Sequence, residues 1–334
     1  MPMNRQVRLI ARPEPGLFSA ENFAIEEHAL VEPGDGEFRV KIAYISLDPA
    51  MRGWVNAGKS YVAPVKLNDV MRAYAVGIVD RSNHADFNVG DAVQGLFGVQ
   101  QYAISDGRHA HIVNTDQAPL ERWIGGLGMP GWTAYFGLTE VGKPKPGETV
   151  VVSAASGAVG SIVGQIAKLK GCRAVGIAGG PEKCRYVCEE LGFDACVDYK
   201  AGNLEADLKA ACPDGIDIAF ENVGGEIFDT ILLQMNLFGR IAVCGLISAY
   251  AATEAQPGLE NVRMILTQRL RIQGIIVFDW AERFPEAIAE LGAWHASGKL
   301  KMREDVREGG VDAFLETVNL LYTSGNNGKL VLKV

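Results

Sequence analysis

The sequence predicts an α/β protein in which a doubly wound parallel sheet follows a smaller, mainly β domain. Up to about residue 124, short β-like runs are separated by turn residues. From about Gly125, apolar strands alternate with helical segments, a pattern typical of a parallel sheet covered by helices on both faces. Glycine is concentrated in the same region, because 24 of the 39 glycines lie between residues 125 and 292.

The first domain is predicted from its β-like runs and from the end of the chain. A helix over 310–321 leads to a closing strand at 329–334, which we expect to return to the first domain and make it discontinuous. The predicted domains are therefore 1–124 with 296–334, and 125–295. The β-like runs of the first domain lie at 38–45, 70–79, 92–97 and 110–113.

The second domain is predicted from six apolar strands with helices between them. Gly171 and Gly192 are expected to end the first two of these helices, at 157–170 and 182–191. The six strands are predicted at 150–153, 174–178, 196–198, 216–221, 240–244 and 272–278.

Charge and cysteine usage exclude several classes of protein. The 32 Lys and Arg against 40 Asp and Glu give a net charge of −8, which argues against a phosphate-backbone binder. No apolar run reaches the length of a membrane span, and the first residues lack the apolar core of a signal peptide. The six cysteines form no Cys-x-x-Cys pair, so we expect reduced thiols, no metal, and a cytoplasmic protein without nucleic-acid or membrane partners.

A strand, a tight turn and a helix start follow one another over 150–160. Within them, Ala155-x-Gly157-x-x-Gly160 matches the dinucleotide fingerprint with its first glycine replaced by alanine. Gly157 would let the backbone approach a pyrophosphate, and Gly160 would let the helix pack on the sheet. Helix packing alone could also explain the glycines. We expect the turn to contact a cofactor through Ala155, Ser156, Gly157, Ala158, Val159 and Gly160.

The residues after the second strand favour NADP(H) over NAD. An NAD site would place an acidic residue at the end of this strand to hold the ribose 2′-hydroxyl. The sequence has Gly179 there instead, and Lys183 lies at the start of the next helix, where it could meet a 2′-phosphate. The alternative for Lys183 is a solvated surface lysine.

Other candidate residues follow the later strands, because ligands bind outside the carboxyl ends of the strands in such sheets. Asn222, Gly245, Ser248 and Phe278 occupy these positions. Asn222 could read a ribose or an amide, or it could cap the following helix, and the sequence leaves both open.

Several motifs in order resemble the zinc-independent prostaglandin reductase and leukotriene B4 dehydrogenase branch of the medium-chain dehydrogenase/reductase superfamily, which includes alkenal double-bond reductases and curcumin reductase. The resemblance covers essentially the whole chain. It rests on residues 45–52 (ISLDPAMR), 128–138 (GMPGWTAYFGL), 154–160 with 165–168 (QIAK), 221–225 (ENVGG) and 326–329 (NNGK).

This resemblance implies a GroES-like catalytic domain, a Rossmann NADP-binding domain, a homodimer, and NADPH-dependent reduction of the carbon–carbon double bond of α,β-unsaturated carbonyls. Carried over by motif, Lys183 and Tyr199 would hold the 2′-phosphate. Asn222 and Asn326 would bind elsewhere on the cofactor, with Met129 and Thr133 near the nicotinamide.

The resemblance also places two tyrosines at the substrate, Tyr61 and Tyr250. Two departures matter. Ala50 stands where close relatives often have tyrosine. Phe278 stands where prostaglandin reductases have a tyrosine next to the nicotinamide ribose, so no phenol is available there.

The expected chemistry is hydride transfer to the β-carbon of an enal or enone, followed by protonation at the α-carbon. A donor must face the carbonyl oxygen, where enolate charge develops. Tyr61 and Tyr250 are the candidate catalytic residues, and the alternative is that they only pack on substrate or in the cleft.

Three other functions are alternatives to this one. Zinc alcohol dehydrogenase chemistry needs an early cysteine ligand, and residues 1–171 contain none. His109 and His111 could share a face of a strand, although a polar edge pair explains them better. Quinone reduction by the same hydride donor is a second alternative, which also needs no metal. The third alternative is a protein that binds NADPH as a sensor and catalyses no reaction.

The sixth strand of the second domain, 272–278, is expected to lie at a sheet edge. It is rich in β-branched residues, and an exposed edge of this kind favours pairing with another strand. Pairing with the same strand of a second copy would continue the sheet across a homodimer.

Overall fold

The computed structural model describes residues 3–334, which divide into two compact units. The first unit comprises the chain up to Gly125 together with Glu304–Val334, and the second is Gly126–Arg303. The division falls next to the predicted first boundary. At the second boundary the predicted change at 295/296 lies inside a helix, Phe284–Ala296, whereas the units change eight residues later.

The first unit is mainly β, as its alternating short runs predict. Its strands are β1 (Met3–Leu9), β2 (Phe23–Ala29), β3 (Phe38–Ser46), β4 (Ala75–Ser82), β5 (Ala92–Gly95), β6 (Tyr102–Ser105) and β7 (His111–Ile112), with the short helix α1 (Met51–Trp54) between β3 and β4. β1 pairs antiparallel with β2, and β3 pairs with both β4 and β6.

The end of the chain completes this unit, which confirms the expected return of the closing strand. β14 (Glu304–Arg307), α10 (Phe314–Asn319) and β15 (Lys329–Lys333) belong to it, and β15 pairs antiparallel with β3. The larger sheet has the strand order β14-β15-β3-β4-β5-β7. Phe38, Ile45 and Leu332 are completely buried in its core.

The second unit is a parallel α/β sheet. Its strands are β8 (Thr149–Ser153), β9 (Arg173–Ala178), β10 (Ala195–Asp198), β11 (Ile216–Glu221), β12 (Met235–Val243) and β13 (Arg271–Gly274). Its helices are α2 (Met129–Phe136), α3 (Gly160–Leu169), α4 (Pro181–Arg185), α5 (Leu204–Ala211), α6 (Gly225–Gln234), α7 (Ile247–Tyr250), α8 (Arg263–Thr267) and α9 (Phe284–Ala296).

The order of the six strands, β10-β9-β8-β11-β12-β13, reverses direction beside β8. All neighbours in this sheet are parallel, so their carboxyl ends meet at one edge. Val151, Ile177 and Ala219 lie on central strands and are completely buried, as expected of strands covered on both faces. The predicted doubly wound sheet is confirmed, and its switch point lies between β8 and β11.

Several predicted element boundaries are wrong, for local reasons. The sixth strand ends at Gly274 instead of residue 278, because its partner β12 ends at Val243, and Val277–Arg283 forms 3₁₀ turns. Trp280 of these turns stacks on Phe136 at a ring-centroid distance of 5.7 Å.

One helix and one strand also differ from their predicted extents. The first helix of the sheet begins at Gly160, because 154–159 forms the preceding turn. The second helix lies where it is predicted, since α4 continues as a π-helical stretch, Tyr186–Glu190. The predicted strand at 70–79 begins only at Ala75. Within residues 3–334, no helix has both the length and the apolar character to cross a membrane.

Candidate cofactor and substrate sites

The turn between β8 and α3 has the geometry expected of a pyrophosphate site. A Cβ on Gly160 would lie 2.4 Å from the carbonyl oxygen of Ala154, so helix packing requires glycine there. A Cβ on Gly157 would touch only that same oxygen, at 3.2 Å. Protein packing therefore restricts position 157 less than position 160, and close approach of a ligand is a second reason for glycine at 157.

The other residues of this turn are fixed by their neighbours. Ala154 adopts a left-handed backbone with φ of 50°. Ala155 is completely buried and lies against Gly176, where a Cβ would come within 2.7 Å of the Ala155 methyl group. Ser156 is buried, and Ala158 and Val159 are half-buried ahead of the first turn of α3. The backbone amides of this helix start are the groups that favour an anion.

The corner between β9, α4 and β10 brings together the residues predicted to hold a 2′-phosphate. A Cβ on Gly179 would lie 2.9 Å from the Tyr199 ring, so the glycine leaves room for that ring. Lys183 lies in α4 and is half-buried. No acidic residue stands at the end of β9, and this corner therefore fits a 2′-phosphate better than a 2′-hydroxyl.

Asp198 and Lys200 complete this corner, and the sequence analysis missed both. Asp198 Oδ1 accepts hydrogen bonds from the backbone amides of Gly180, at 2.7 Å, and Lys200, at 3.0 Å. The Lys200 ammonium lies 5.9 Å from the centre of the Tyr199 ring. The position of Lys200, directly after Tyr199 at the end of β10, was the available indication.

Asn222 connects β11 to β8. Its backbone amide donates to the Ser153 hydroxyl at 2.7 Å, and its side-chain Nδ2 donates to the Ser153 carbonyl at 2.8 Å. The helix that follows, α6, is capped by Gly224 without a side-chain hydrogen bond. Of the two alternatives for Asn222, helix capping is therefore wrong, and contact with a ribose or amide stays a prediction.

A buried carboxylate organises the same loop. Glu221 Oε1 accepts hydrogen bonds from the amides of Val223, at 2.6 Å, and Gly224, at 2.7 Å, and its Oε2 is buried without a hydrogen-bond partner. Burial raises the pKa of Glu221 to about 7, and the two amides oppose that shift. In the sequence, Glu221 stands out only within the 221–225 motif, although an acidic residue at the end of an apolar strand is an indication of a buried carboxyl group.

The segment that follows β12 is attached to the outer side of this loop. The Glu221 carbonyl accepts the amide of Gly245, and the Val223 carbonyl accepts both the amide and the hydroxyl of Ser248, at 3.0 and 2.7 Å. The Glu221 side chain therefore binds the backbone amides of the loop, while the Val223 carbonyl of the same loop binds Ser248.

Tyr250 ends the short helix α7. Its hydroxyl accepts the backbone amide of Leu246 at 3.2 Å, which leaves the phenolic proton to be donated elsewhere. Burial raises the pKa of Tyr250, partly offset by that amide. The phenol therefore stays protonated at neutral pH.

Met129 and Thr133 lie on successive turns of α2, where the Thr133 hydroxyl donates to the Met129 carbonyl at 2.7 Å. Phe278 lies in the 3₁₀ turns after β13 and is 38% exposed. Its ring carries no hydroxyl group, so this position has no proton to donate.

Two predicted site residues belong to the first unit. Tyr61 is 49% exposed, and its hydroxyl accepts the indole N–H of Trp54 at 2.6 Å. Asn326 donates through Nδ2 to the Gly328 carbonyl at 2.9 Å, directly before β15. The Lys329 ammonium of that strand is buried against Asp48, at 2.8 Å, and the Leu47 carbonyl, at 2.7 Å.

The histidine pair does not have the expected geometry. His109 has φ of 61° and lies in a turn outside β7, so it does not share a strand with His111. Burial lowers the pKa of His111. Among residues 3–334, no three His, Cys, Asp or Glu side chains are grouped so that they could hold a metal ion.

Comparison with known proteins defines the class and then the family. Residues 5–113 match the family described as the N-terminal domain of oxidoreductase, and residues 158–293 match the family described as zinc-binding dehydrogenase. Together with the fold, these matches define a two-domain, dinucleotide-dependent oxidoreductase. The chain belongs to the zinc-independent branch of the medium-chain dehydrogenase/reductase superfamily that contains the curcumin, alkenal and prostaglandin reductases.

Similarity to individual proteins extends over nearly the whole chain. The chain is 45% identical to the NADPH-dependent curcumin reductase of Escherichia coli, over 99% of this chain and 97% of that protein. It is 41% identical to the 2-alkenal reductase (NADP(+)-dependent) of Nicotiana tabacum, over 91% and 89%. The crystal structure of CurA in complex with NADPH from Vibrio vulnificus superposes with a TM-score of 0.93 at 43% identity, and 99% of each chain is covered.

Proposed function

We propose that this protein reduces the carbon–carbon double bond of α,β-unsaturated carbonyls with NADPH and without a metal. The observation that carries the cofactor assignment is the corner at Gly179, Lys183 and Tyr199, which has no acidic residue at the end of β9. The reaction type is supported by relatives named NADPH-dependent curcumin reductase and 2-alkenal reductase. NADPH, when bound, supplies the hydride for the β-carbon of the acceptor.

Residues of the second unit make most of the proposed contacts with the cofactor. The amides at the start of α3 meet the pyrophosphate, Lys183 and Lys200 neutralise the 2′-phosphate beside Tyr199, and Asn222 and Ser248 contact the remainder. In the same proposal, Met129 and Thr133 lie near the nicotinamide, and Phe278 lies next to the nicotinamide ribose. Gly245, and Asn326 of the first unit, contact the cofactor elsewhere.

Turnover of an acceptor panel tests the function. The protein is mixed with NADPH and separately with enals, enones and quinones, and the nicotinamide absorbance is followed. We expect enals and enones to be reduced at the double bond. Faster turnover of quinones would favour quinone reduction, and NADPH binding without turnover of any acceptor would favour a sensor.

The cofactor preference is tested in the same assay. Lys183→Ala should raise KM for NADPH by about tenfold, because a charged hydrogen bond is worth roughly 1.5–3 kcal/mol, and it should leave KM for NADH unchanged. Lys209→Ala is the matched control, because Lys209 is exposed on α5. Equal effects of the two substitutions would contradict the assignment.

Tyr250 and Tyr61 are proposed to donate hydrogen bonds to the acceptor carbonyl, where enolate charge develops. Replacing either tyrosine by Phe removes the hydroxyl group and keeps the ring. We expect the double Phe variant to lose at least tenfold in kcat for enones while KM for NADPH stays within about twofold. Unchanged turnover of every enone tested would reduce both tyrosines to packing residues.

The remaining proposals concern domains and cellular location. We propose that the first unit is a GroES-like catalytic domain and that the second unit is a Rossmann NADP-binding domain. A cytoplasmic location is supported by six cysteines that are all free thiols, as in reducing compartments. Cell fractionation with a tagged chain tests the location, and recovery from a membrane or secreted fraction would contradict it.

A further inference from the structure

Arg72 of the first unit is a partly buried cation for which the residues described here offer no counter-ion. It precedes β4 between Met71 and Ala73, both of which are completely buried. Within residues 3–334 it forms no ion pair or hydrogen bond, and its Nη1 is buried without an acceptor. Burial lowers the pKa of Arg72.

Other buried arginines of the same unit differ from Arg72 in this respect. Arg39 donates to both carboxylate oxygens of Asp80, at 2.9 and 3.3 Å from Nε. Arg52 donates to two backbone carbonyls, those of Gly16 at 3.2 Å and Glu14 at 2.7 Å. Removing a guanidinium from water without such partners is unfavourable for folding. The Nη1 donor of Arg72 is therefore available to an acceptor from outside the chain.

The immediate surroundings of Arg72 are aromatic. Its guanidinium carbon lies 5.8 Å from the centre of the Trp54 ring, and it is close enough to Tyr61 that a charge on that phenol would raise the pKa of Arg72. The Trp54 indole N–H donates to the Tyr61 hydroxyl at 2.6 Å, so the two rings are held together. An aromatic ring that packs on the face of a guanidinium group does not use its N–H donors, which lie in the plane of the group. These N–H donors can therefore bind another ligand.

We propose that Arg72, with Trp54 and Tyr61, forms a recognition site for a carboxylate carried by a planar, conjugated acceptor. The planar fork of donors in a guanidinium matches the two oxygens of a carboxylate. The aromatic rings suit a flat conjugated chain or arene next to that carboxylate. This inference rests on the proposed function and narrows its substrate class to acidic enals and enones.

A matched pair of substrates tests the recognition of a carboxylate. 4-Carboxycinnamaldehyde and its methyl ester carry the same reacting enal and differ in one charge. We expect the wild-type enzyme to favour the acid over the ester in kcat/KM by at least about tenfold, and Arg72→Met to lower that ratio by roughly tenfold to a hundredfold. Arg72→Lys, which keeps the charge without the planar fork, should retain part of the preference.

Exposed Arg81 provides the control, since Arg81→Met removes a positive charge from the same unit without changing the aromatic cluster. A ratio that Arg72→Met leaves unchanged, or that Arg81→Met lowers as much, would overturn the proposal.

A binding measurement separates this proposal from the proposed reaction. 4-Ethylbenzoate and its methyl ester cannot be reduced, and their dissociation constants follow from tryptophan fluorescence. We expect the wild-type protein to bind the acid more tightly than the ester. The Arg72→Met variant should show no such preference. If neither cinnamaldehyde is turned over, the proposed function fails, and the fluorescence titration still decides the role of Arg72.

Discussion

At the scale of single residues, the positions with chemical importance are those whose burial and hydrogen bonding differ from the ordinary. Glu221 is buried with one oxygen used twice and the other unused. A Cβ at Gly157 would meet a single protein atom, the Ala154 carbonyl oxygen at 3.2 Å, and the Nη1 of Arg72 is buried without a hydrogen-bond acceptor. None of these properties can be read from residue type, because each depends on which atoms the fold brings near.

Glu221 should make stability depend on pH. In the folded protein the pKa of Glu221 is about 7, above its ordinary value. The contribution of Glu221 to the free energy of unfolding is therefore complete at low pH and is lost as the pH rises towards 7. In the Glu221→Gln variant, the side chain at this position cannot ionise. We expect the free energy of unfolding of this variant, relative to wild type, to rise by up to roughly 3 kcal/mol between pH 4.5 and pH 8.

Urea unfolding at a series of pH values measures this difference. The pKa of Glu304 is also raised, to about 6, by burial, but Glu304 is present in both proteins and cancels in the comparison. A difference between the two proteins that does not change with pH would mean that Glu221 is ionised across the whole range.

At the scale of elements, the turn between β8 and α3 combines a packing requirement with a ligand requirement. The two glycines of the turn differ in the reason for which each is needed. A Cβ at Gly160 meets the Ala154 carbonyl oxygen at 2.4 Å, and one at Gly157 meets only that oxygen, at 3.2 Å. Substitutions at these two glycines can therefore separate an effect on folding stability from an effect on cofactor binding.

Gly160→Ala should lower the melting temperature by several degrees, because a backbone oxygen cannot move away without displacing the turn. Gly157→Ala should leave the melting temperature within about two degrees and weaken NADPH binding by at least about tenfold. Thermal unfolding and fluorescence titration with NADPH measure the two effects. The opposite assignment of effects would contradict the proposed role of Gly157.

At the scale of the whole molecule, the open question is how copies of the chain associate. β13 ends the six-stranded sheet, and all four of its residues are exposed. Beside it, Leu237 and Phe238 of β12 are 49% and 63% exposed, and Leu266 of α8 is 78% exposed. Exposed apolar side chains near a strand whose outer edge is unpaired favour association with a second copy.

We expect a homodimer at micromolar concentration, and we expect Phe238→Glu to give a monomer, because the new charge would be desolvated in the interface. Val89→Glu is the control, since Val89 is equally exposed, at 64%, but lies in the first unit. Light scattering after size exclusion measures the mass. A wild-type monomer, or dissociation by both substitutions alike, would contradict this interface.

The periodic parts of the fold could be predicted from the sequence, and the ends of elements could not. Strand β11 lies where the apolar run predicts it, at Ile216–Glu221, because a buried parallel strand has an apolar residue at nearly every position. The strand predicted at 272–278 ends at Gly274, because a strand needs a partner and β12 provides none further on. The end of this strand depends on the length of the neighbouring strand, which cannot be predicted from the local sequence pattern.

The sequence by itself determined the fold class, the strand that returns to the first unit, the dinucleotide turn and the absence of an acidic residue after β9. These depend on periodicity and on residue type at fixed positions, which are local properties. The tertiary structure alone decided that Asn222 is bonded to Ser153 instead of capping α6, that Glu221 is buried, and that Arg72 lies against the Trp54 ring with its Nη1 lacking an acceptor. Each of these depends on solvent exclusion and on contacts between residues distant in the chain, which come into being only when the chain folds.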